Sequence, residues 1–88
     1  MHEAGMIRDL LTRITALASE ESVTSVTGVR VWLGALSHIS PEHFREHFRN
    51  ETVGSIAEGA LLEIESSQDI DHPQAQSILL RSIDVAEP

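Results

Sequence analysis

The feature that most constrains the fold of this 88-residue chain is a change in the spacing of its apolar residues. From Glu3 to Glu20 they recur at intervals of three and four, which places them on one stripe of a helix. From Val26 to Leu33 the interval becomes two, as in a strand with one face in a core. A chain this short has one modest core, so the stripe and the strand face are expected to pack together. The stripe comprises Ile7, Leu10, Leu11, Ile14, Leu17 and Ala18.

A second helix is predicted to begin at Ser40-Pro41-Glu42. The serine hydroxyl can cap the helix, proline fits the first helical position, and an acid is favoured near the positive end of the helix dipole. Phe44 and Phe48 lie one turn apart and are the expected core residues of this helix. His43 and His47 have the same spacing and lie on its flank.

Two more strands are predicted, at 60–65 and 77–85, with a polar loop at 66–76 between them. The order helix, strand, helix, strand, strand favours parallel pairing of the first two strands through a crossover helix, and an antiparallel pair for the last two. The predicted fold class is α+β, with two helices on one face of a three-stranded mixed sheet. The third-strand residues expected to face the core are Leu79, Ile83 and Val85. On the first strand, Val29, Val31 and Leu33 are predicted on one face, with Arg30 and Trp32 on the other.

Composition excludes several classes of function. With 14 Asp and Glu against 6 Arg and Lys, the net charge of -8 would repel a phosphate backbone, so nucleic acid is not an expected partner. No apolar run is long enough to span a membrane, no signal-peptide pattern is present, and a cytoplasmic location is expected. The absence of cysteine excludes disulfides and thiolate metal sites. No phosphate-binding loop or nucleophile motif occurs, so an enzyme is not expected.

The first three residues, Met1-His2-Glu3, form a compact nitrogen-rich chelator. The Met1 amine, the His2 amide nitrogen and the His2 Nδ1 can close two fused, flat chelate rings around one cation. A planar set of nitrogen donors suits Ni(II) or Cu(II), whereas Zn(II) prefers a tetrahedron. The alternative is that a histidine stands near the start by chance.

The remaining histidines offer weaker candidates for metal binding. His38 follows the first strand and is a further candidate ligand if its loop packs beside the start of the first helix. His43 and His47 could bridge one ion from a helix face, but such a pair is more often simply exposed. His72 lies close to Asp69 and Asp71 and could form a weak surface site with them. An Asp-His-Pro segment is, however, equally common in an ordinary turn.

Three segments together resemble the HypA/HybF family of hydrogenase nickel-incorporation proteins. They are Met1-His2-Glu3, the strand and turn over 26–37, and Gly54-Ser55-Ile56-Ala57-Glu58-Gly59-Ala60, with Phe44 and Phe48 between the last two. Their order and spacing match the family as well as their residues do. The segment 77–85 is similar to the closing strand of the family.

The chain departs from the family in one large respect. Members usually carry a zinc domain built on two CxxC pairs between the last two strands, and this sequence has no cysteine. The resemblance therefore implies a single nickel-binding-type domain over 1–88, in which a short loop at about 66–76 replaces the zinc domain. No structural zinc is expected.

The resemblance implies a nickel metallochaperone that delivers Ni(II) to a metalloenzyme, foremost the large subunit of a [NiFe]-hydrogenase, or urease. It implies a HypB-type GTPase as partner and is compatible with a homodimer. His2 is implied as the nickel ligand, with the Met1 amine and the Glu3 amide completing the nitrogen square and Glu3 also associated with partner contact. The alternative function is a non-metal adaptor or regulatory module in hydrogenase maturation.

Overall fold

The computed structural model describes residues 3–86 and confirms the predicted α+β architecture. Two helices pack on one face of a three-stranded mixed sheet, in the predicted order along the chain. In the described residues, no helix is both long and apolar enough to cross a bilayer. The elements are α1 (Glu3–Glu20), β1 (Val26–Leu33), α2 (Pro41–Glu51), β2 (Leu61–Ser66) and β3 (Ile78–Val85).

β1 is the central strand, and the strand order is β2-β1-β3. The parallel pairing of β1 with β2 across the crossover helix is confirmed. The predicted antiparallel pair of β2 and β3 is wrong, because β3 pairs with β1 instead. β1 is nearly buried along its length, whereas β2 alternates exposed and half-buried residues, so the most apolar strand takes the position with two neighbours.

The connection over 67–77 makes this strand order possible by crossing the carboxyl end of β1. The Ser67 amide donates to the Leu33 carbonyl at 2.9 Å, and the Gly34 amide donates to the Ser77 carbonyl at 2.9 Å. Both ends of the connection are therefore held to the end of β1. The polar composition of the segment predicted a loop, but not one that exchanges hydrogen bonds with the central strand.

The core lies between the helices and the inner face of the sheet. On α1 the predicted stripe is buried except for Leu11, which is half-buried, and Leu17, which is 40% exposed. The prediction is therefore wrong for Leu17. Phe44 and Phe48 are both buried, as predicted. The inner face of β1 contributes Val29, Val31 and Leu33, also as predicted.

β3 departs from the predicted alternation at an irregularity in its pairing. Arg30 pairs with Ser82 and Val31 with Leu80, so Arg81 is an additional residue on β3. A bulge of this kind reverses the faces of the residues that precede it. Ile83 and Val85 pack against the core as predicted, but Leu80 takes the inward position expected for Leu79.

Trp32 lies on the outer face of the sheet, as predicted, yet it is only 4% exposed. The connection over 67–77 covers it: the His72 ring centroid lies 4.8 Å from that of Trp32, and Ala75 is itself buried. From β3, the Arg81 guanidinium lies 5.9 Å from the ring centroid. Trp32, His72 and Ala75 therefore form a small second packing cluster on the outer face of the sheet, beneath the connection.

The start of α2 is capped as the sequence predicts. The Ser40 backbone is extended, and its hydroxyl accepts a hydrogen bond from the His43 amide at 3.1 Å. Pro41 follows at the first helical position. A capping bond of this kind stabilises a helix by about 1 kcal/mol, which fixes the point where the loop after β1 ends.

Gly34 leads to the first testable prediction, because a Cβ at this position would overlap the carbonyl oxygen of Ala75. That oxygen also accepts a hydrogen bond from the Leu36 amide at 2.7 Å, so the backbone has little freedom to move away. We expect Gly34→Ala to lower the free energy of unfolding in urea by about 2–3 kcal/mol. Gly5→Ala is the control, since its Cβ would meet nothing within 4 Å and alanine favours a helix by up to about 1 kcal/mol. Equal effects of the two substitutions would contradict this packing.

Candidate functional site

The predicted chelating residues belong to the amino-terminal end of α1. Met1 and His2 lie outside the described residues, and Glu3 is the first residue of the helix. The first four amide groups of an α-helix have no acceptor within the helix. The amide nitrogen of Glu3 is therefore not required by the hydrogen bonds of α1 and is available for another interaction.

The first turns of α1 lie beside the start of β3. Met6 and Asp9 line a cleft of about 290 Å³ together with Gln76 and Ser77. Because the Ser77 carbonyl accepts from the amide that follows β1, this part of α1 is at the end of the sheet where β1 finishes. The loop between β1 and α2 begins at the same end.

That loop, residues 34–40, carries the candidate ligand His38. The Ser37 amide donates to the Gly34 carbonyl at 3.0 Å, and Ile39 is largely buried. His38 itself is exposed and has a φ of 61°, in the left-handed region that glycine, asparagine and a minority of other residues adopt. The loop thus projects the imidazole outward from a backbone anchored on both sides.

Ser37 is the residue of this loop that sequence reasoning missed. Its hydroxyl is buried and has no hydrogen-bond partner among the described residues. A buried hydroxyl without a partner costs roughly 1–3 kcal/mol. No motif marks Ser37 in the sequence, since burial of one hydroxyl in a turn depends on the tertiary fold.

The other histidines have contacts of a different kind. The His43 and His47 rings approach edge to face, with centroids 5.8 Å apart. His72 stacks on Trp32, and its Nδ1 accepts a hydrogen bond from the Gln74 amide at 2.9 Å. The neighbouring Asp69 carboxylate accepts from the Asp71 amide at 3.0 Å. These bonds are the turn chemistry that was the alternative to a metal site for His72.

Three or more histidine, aspartate or glutamate side chains do not converge anywhere in the part of the chain that the structure describes. Charged groups do meet on the outer face of the sheet. Arg30 lies 3.2 Å from the Asp84 carboxylate and 3.5 Å from that of Glu63. The hydrogen bond and charge of Asp84, followed by the charge of Glu63, raise the pKa of Arg30. This network links all three strands, and both of its carboxylates are paired with Arg30.

A second feature that the sequence analysis missed is a pair of arginines on α2. Arg45 donates a hydrogen bond from Nη1 to the Leu62 carbonyl on β2 at 2.9 Å. Arg49 follows one turn later and is exposed. The spacing of four residues is visible in the sequence, but the open edge of β2 is not, because the sequence predicts that β3 pairs there.

Comparison with known proteins identifies relatives of this chain. Residues 1–70 match the family model described as "Hydrogenase/urease nickel incorporation, metallochaperone, hypA". The chain is 39% identical over 64 residues to the hydrogenase maturation factor HypA of Archaeoglobus fulgidus, covering 73% of this chain and 58% of that protein. It is 37% identical over 65 residues to the HypA of Methylocella silvestris, covering 74% and 58%. The chain thus spans less than three fifths of the curated relatives that it matches.

The fold also has known counterparts. The solution structure of the Ni metallochaperone HypA from Helicobacter pylori aligns with a TM-score of 0.82, covering 97% of each chain at 18% identity. A second solution structure of a HypA protein aligns with a TM-score of 0.76 at 17% identity. At such low identity these matches establish a shared fold.

Proposed function

Because this chain belongs to the HypA family of hydrogenase and urease nickel-incorporation proteins, we propose that it is a nickel metallochaperone. Its role is to assist insertion of Ni(II) into a metalloenzyme, foremost the large subunit of a [NiFe]-hydrogenase. The observation that carries this proposal is the extent of the family match, which covers 1–70 and so includes Met1-His2-Glu3 together with α1, β1, α2 and β2. A metallochaperone of this kind transfers a metal ion and catalyses no reaction.

The proposed nickel donors are nitrogens at the start of the chain. They are the Met1 amine, the His2 amide and the His2 Nδ1, with the Glu3 amide or the His38 imidazole as the fourth. The start of a helix supports this arrangement for two reasons. Its amide nitrogens lack helical acceptors, and its dipole stabilises negative charge such as that of a deprotonated amide.

The proposed partners follow from the family. We infer that the chain acts with a HypB-type GTPase and a hydrogenase large subunit, and that a homodimer is compatible with this role. From the resemblance we infer that the connection over 67–77 replaces the zinc domain of the family, so the proposal treats 1–88 as a nickel-binding-type domain with no structural zinc. The cytoplasmic location stays a prediction from the sequence. The adaptor alternative differs in a single measurable property, which is the absence of nickel binding.

Nickel titration of the untagged chain tests the proposal directly. We expect a diamagnetic 1:1 complex with weak visible absorption, as planar nitrogen ligation of Ni(II) requires. His2→Ala should abolish this complex because it removes the imidazole donor. The matched control is His43→Ala combined with His47→Ala, which should leave binding unchanged. Unaltered nickel binding in His2→Ala would contradict this donor set, whereas no nickel binding by the unaltered chain would favour the adaptor.

His38 can be tested by a substitution that separates ligation from folding. Glycine relieves the positive φ at this position, so His38→Gly should maintain or raise the free energy of unfolding, by up to about 1 kcal/mol. If His38 supplies the fourth nitrogen, nickel affinity by calorimetry should nevertheless fall by about tenfold, or 1.4 kcal/mol. An affinity within twofold of the unaltered chain would assign the fourth position to the Glu3 amide.

The proposed donor set also predicts a pH dependence. The metal displaces protons from the amine and from at least one amide, so binding releases protons and is opposed by acid. Nickel affinity should therefore fall as the pH is lowered from roughly 8 to 6, with proton release measurable by calorimetry in buffers of different ionisation enthalpy. An affinity that is constant over this range would contradict amide ligation.

A further inference from the structure

A cleft of about 320 Å³ lies between α2 and the edge strand β2, away from the start of α1. Leu62 and the buried ring of Phe48 line the cleft, and Leu61 at its margin is 78% exposed. Within residues 3–86, Leu61 is the most exposed large apolar side chain. One exposed leucine is ordinary by itself, and it matters here only because it lies on the edge strand beside the cleft.

Two arginines line the same cleft. Arg45 donates one hydrogen bond to the Leu62 carbonyl, which leaves four of its five N–H donors for another acceptor. Arg49 lies one helical turn further on, and within residues 3–86 its guanidinium takes part in no ion pair. Guanidinium groups match carboxylates in geometry and bind them through paired hydrogen bonds.

The backbone of β2 is open beside these arginines. β2 pairs with β1 along one side and is the edge of the sheet along the other. The Leu62 carbonyl points to the open side, where Arg45 reaches it, so the alternation of a strand places the backbone groups of Ile64 and Ser66 on that side too. An extended peptide can add to such an edge through main-chain hydrogen bonds.

The charges around the cleft indicate what kind of partner it would bind. The chain as a whole has a net charge of -8, whereas two of its six arginines line this cleft. Glu42, Glu46 and Glu51 are the nearest acids along the chain, and Glu51 is paired with Arg8 on α1 at 3.3 Å. Glu58 in the turn before β2 accepts a hydrogen bond from the Gly54 amide at 3.1 Å. Nucleic acid would meet the overall negative charge and is disfavoured. A second copy pairing through β2 would bring Glu63 and Glu65 of both chains together.

We propose that the cleft between α2 and β2 binds an extended acidic segment of a partner protein. Backbone groups of the segment pair with those of Ile64 and Ser66 on the open edge of β2. Its carboxylates pair with Arg45 and Arg49 on the helix side of the sheet, and its apolar side chains cover Leu61 on the other side. None of the residues that line the cleft is a proposed nickel ligand. The cleft therefore provides a contact with a protein partner that does not occupy the metal.

A synthetic peptide with alternating valine and glutamate residues, blocked at both ends, tests this proposal in the absence of metal. Amide NMR spectra of the full chain should show shifts concentrated at 61–66, together with shifts of the Arg45 and Arg49 side-chain N–H signals. Arg49→Glu should weaken binding at least about tenfold, because it replaces a favourable charge contact by repulsion. The Arg49 side chain is exposed and forms no ion pair within residues 3–86, so the variant is expected to remain folded.

The matched control is Arg13→Glu, which makes the same charge change on α1 beside β3. Binding within twofold of the unaltered chain is expected for this variant, and binding should be lost when glutamine replaces glutamate in the peptide. Equal loss in Arg13→Glu and Arg49→Glu would indicate a nonspecific charge effect and overturn the proposal. So would shifts centred on β3, or no binding of the valine-glutamate peptide at millimolar concentration. None of these outcomes bears on nickel binding by His2.

Discussion

The burial of β1 on both faces and both edges is the constraint on which the rest of the domain depends. β2 and β3 pair with its two edges, the helices cover its inner face, and the connection over 67–77 covers Trp32 on its outer face. A small domain has little apolar area to bury, so one strand that is covered from every side concentrates the available stabilisation. The ends of β1 therefore determine where the loops, and with them the candidate sites, are placed.

Much of the fold could be predicted from residue spacing, and the errors have physical causes. The helices and strands follow from apolar periods of 3.6 and 2, and the cap at Ser40 follows from side-chain chemistry. The position of β3 could not be predicted, because the neighbour of a strand depends on the competition among strands for the central place. Leu79 was placed on the wrong face because a bulge at Arg81 changes the alternation, and no residue pattern marked that bulge.

The candidate nickel site was predicted by another route. The chelating geometry of Met1 and His2 follows from covalent structure alone and needs no fold. The choice of nickel over copper comes from the family resemblance, which the match over 1–70 then confirmed as family membership. What the fold adds is the position of the start of α1, at the end of the sheet where Gly34 and Ser77 are joined and where the His38 loop begins. The sequence could not reveal the positive φ of His38 or the buried hydroxyl of Ser37, since both depend on how that loop is anchored.

α2 lies between the loop that carries His38 and the proposed peptide cleft. Its amino-terminal end follows the His38 loop directly, whereas Arg45 and Arg49 face the edge of β2. Phe44 and Phe48 anchor the helix in the core between these two regions, so the helix is held in place independently of either ligand. A movement of α2 would have to displace both phenylalanines from a close-packed interior, at a cost of several kcal/mol. A peptide in the cleft is therefore expected to leave α2, and with it the loop that carries His38, in place.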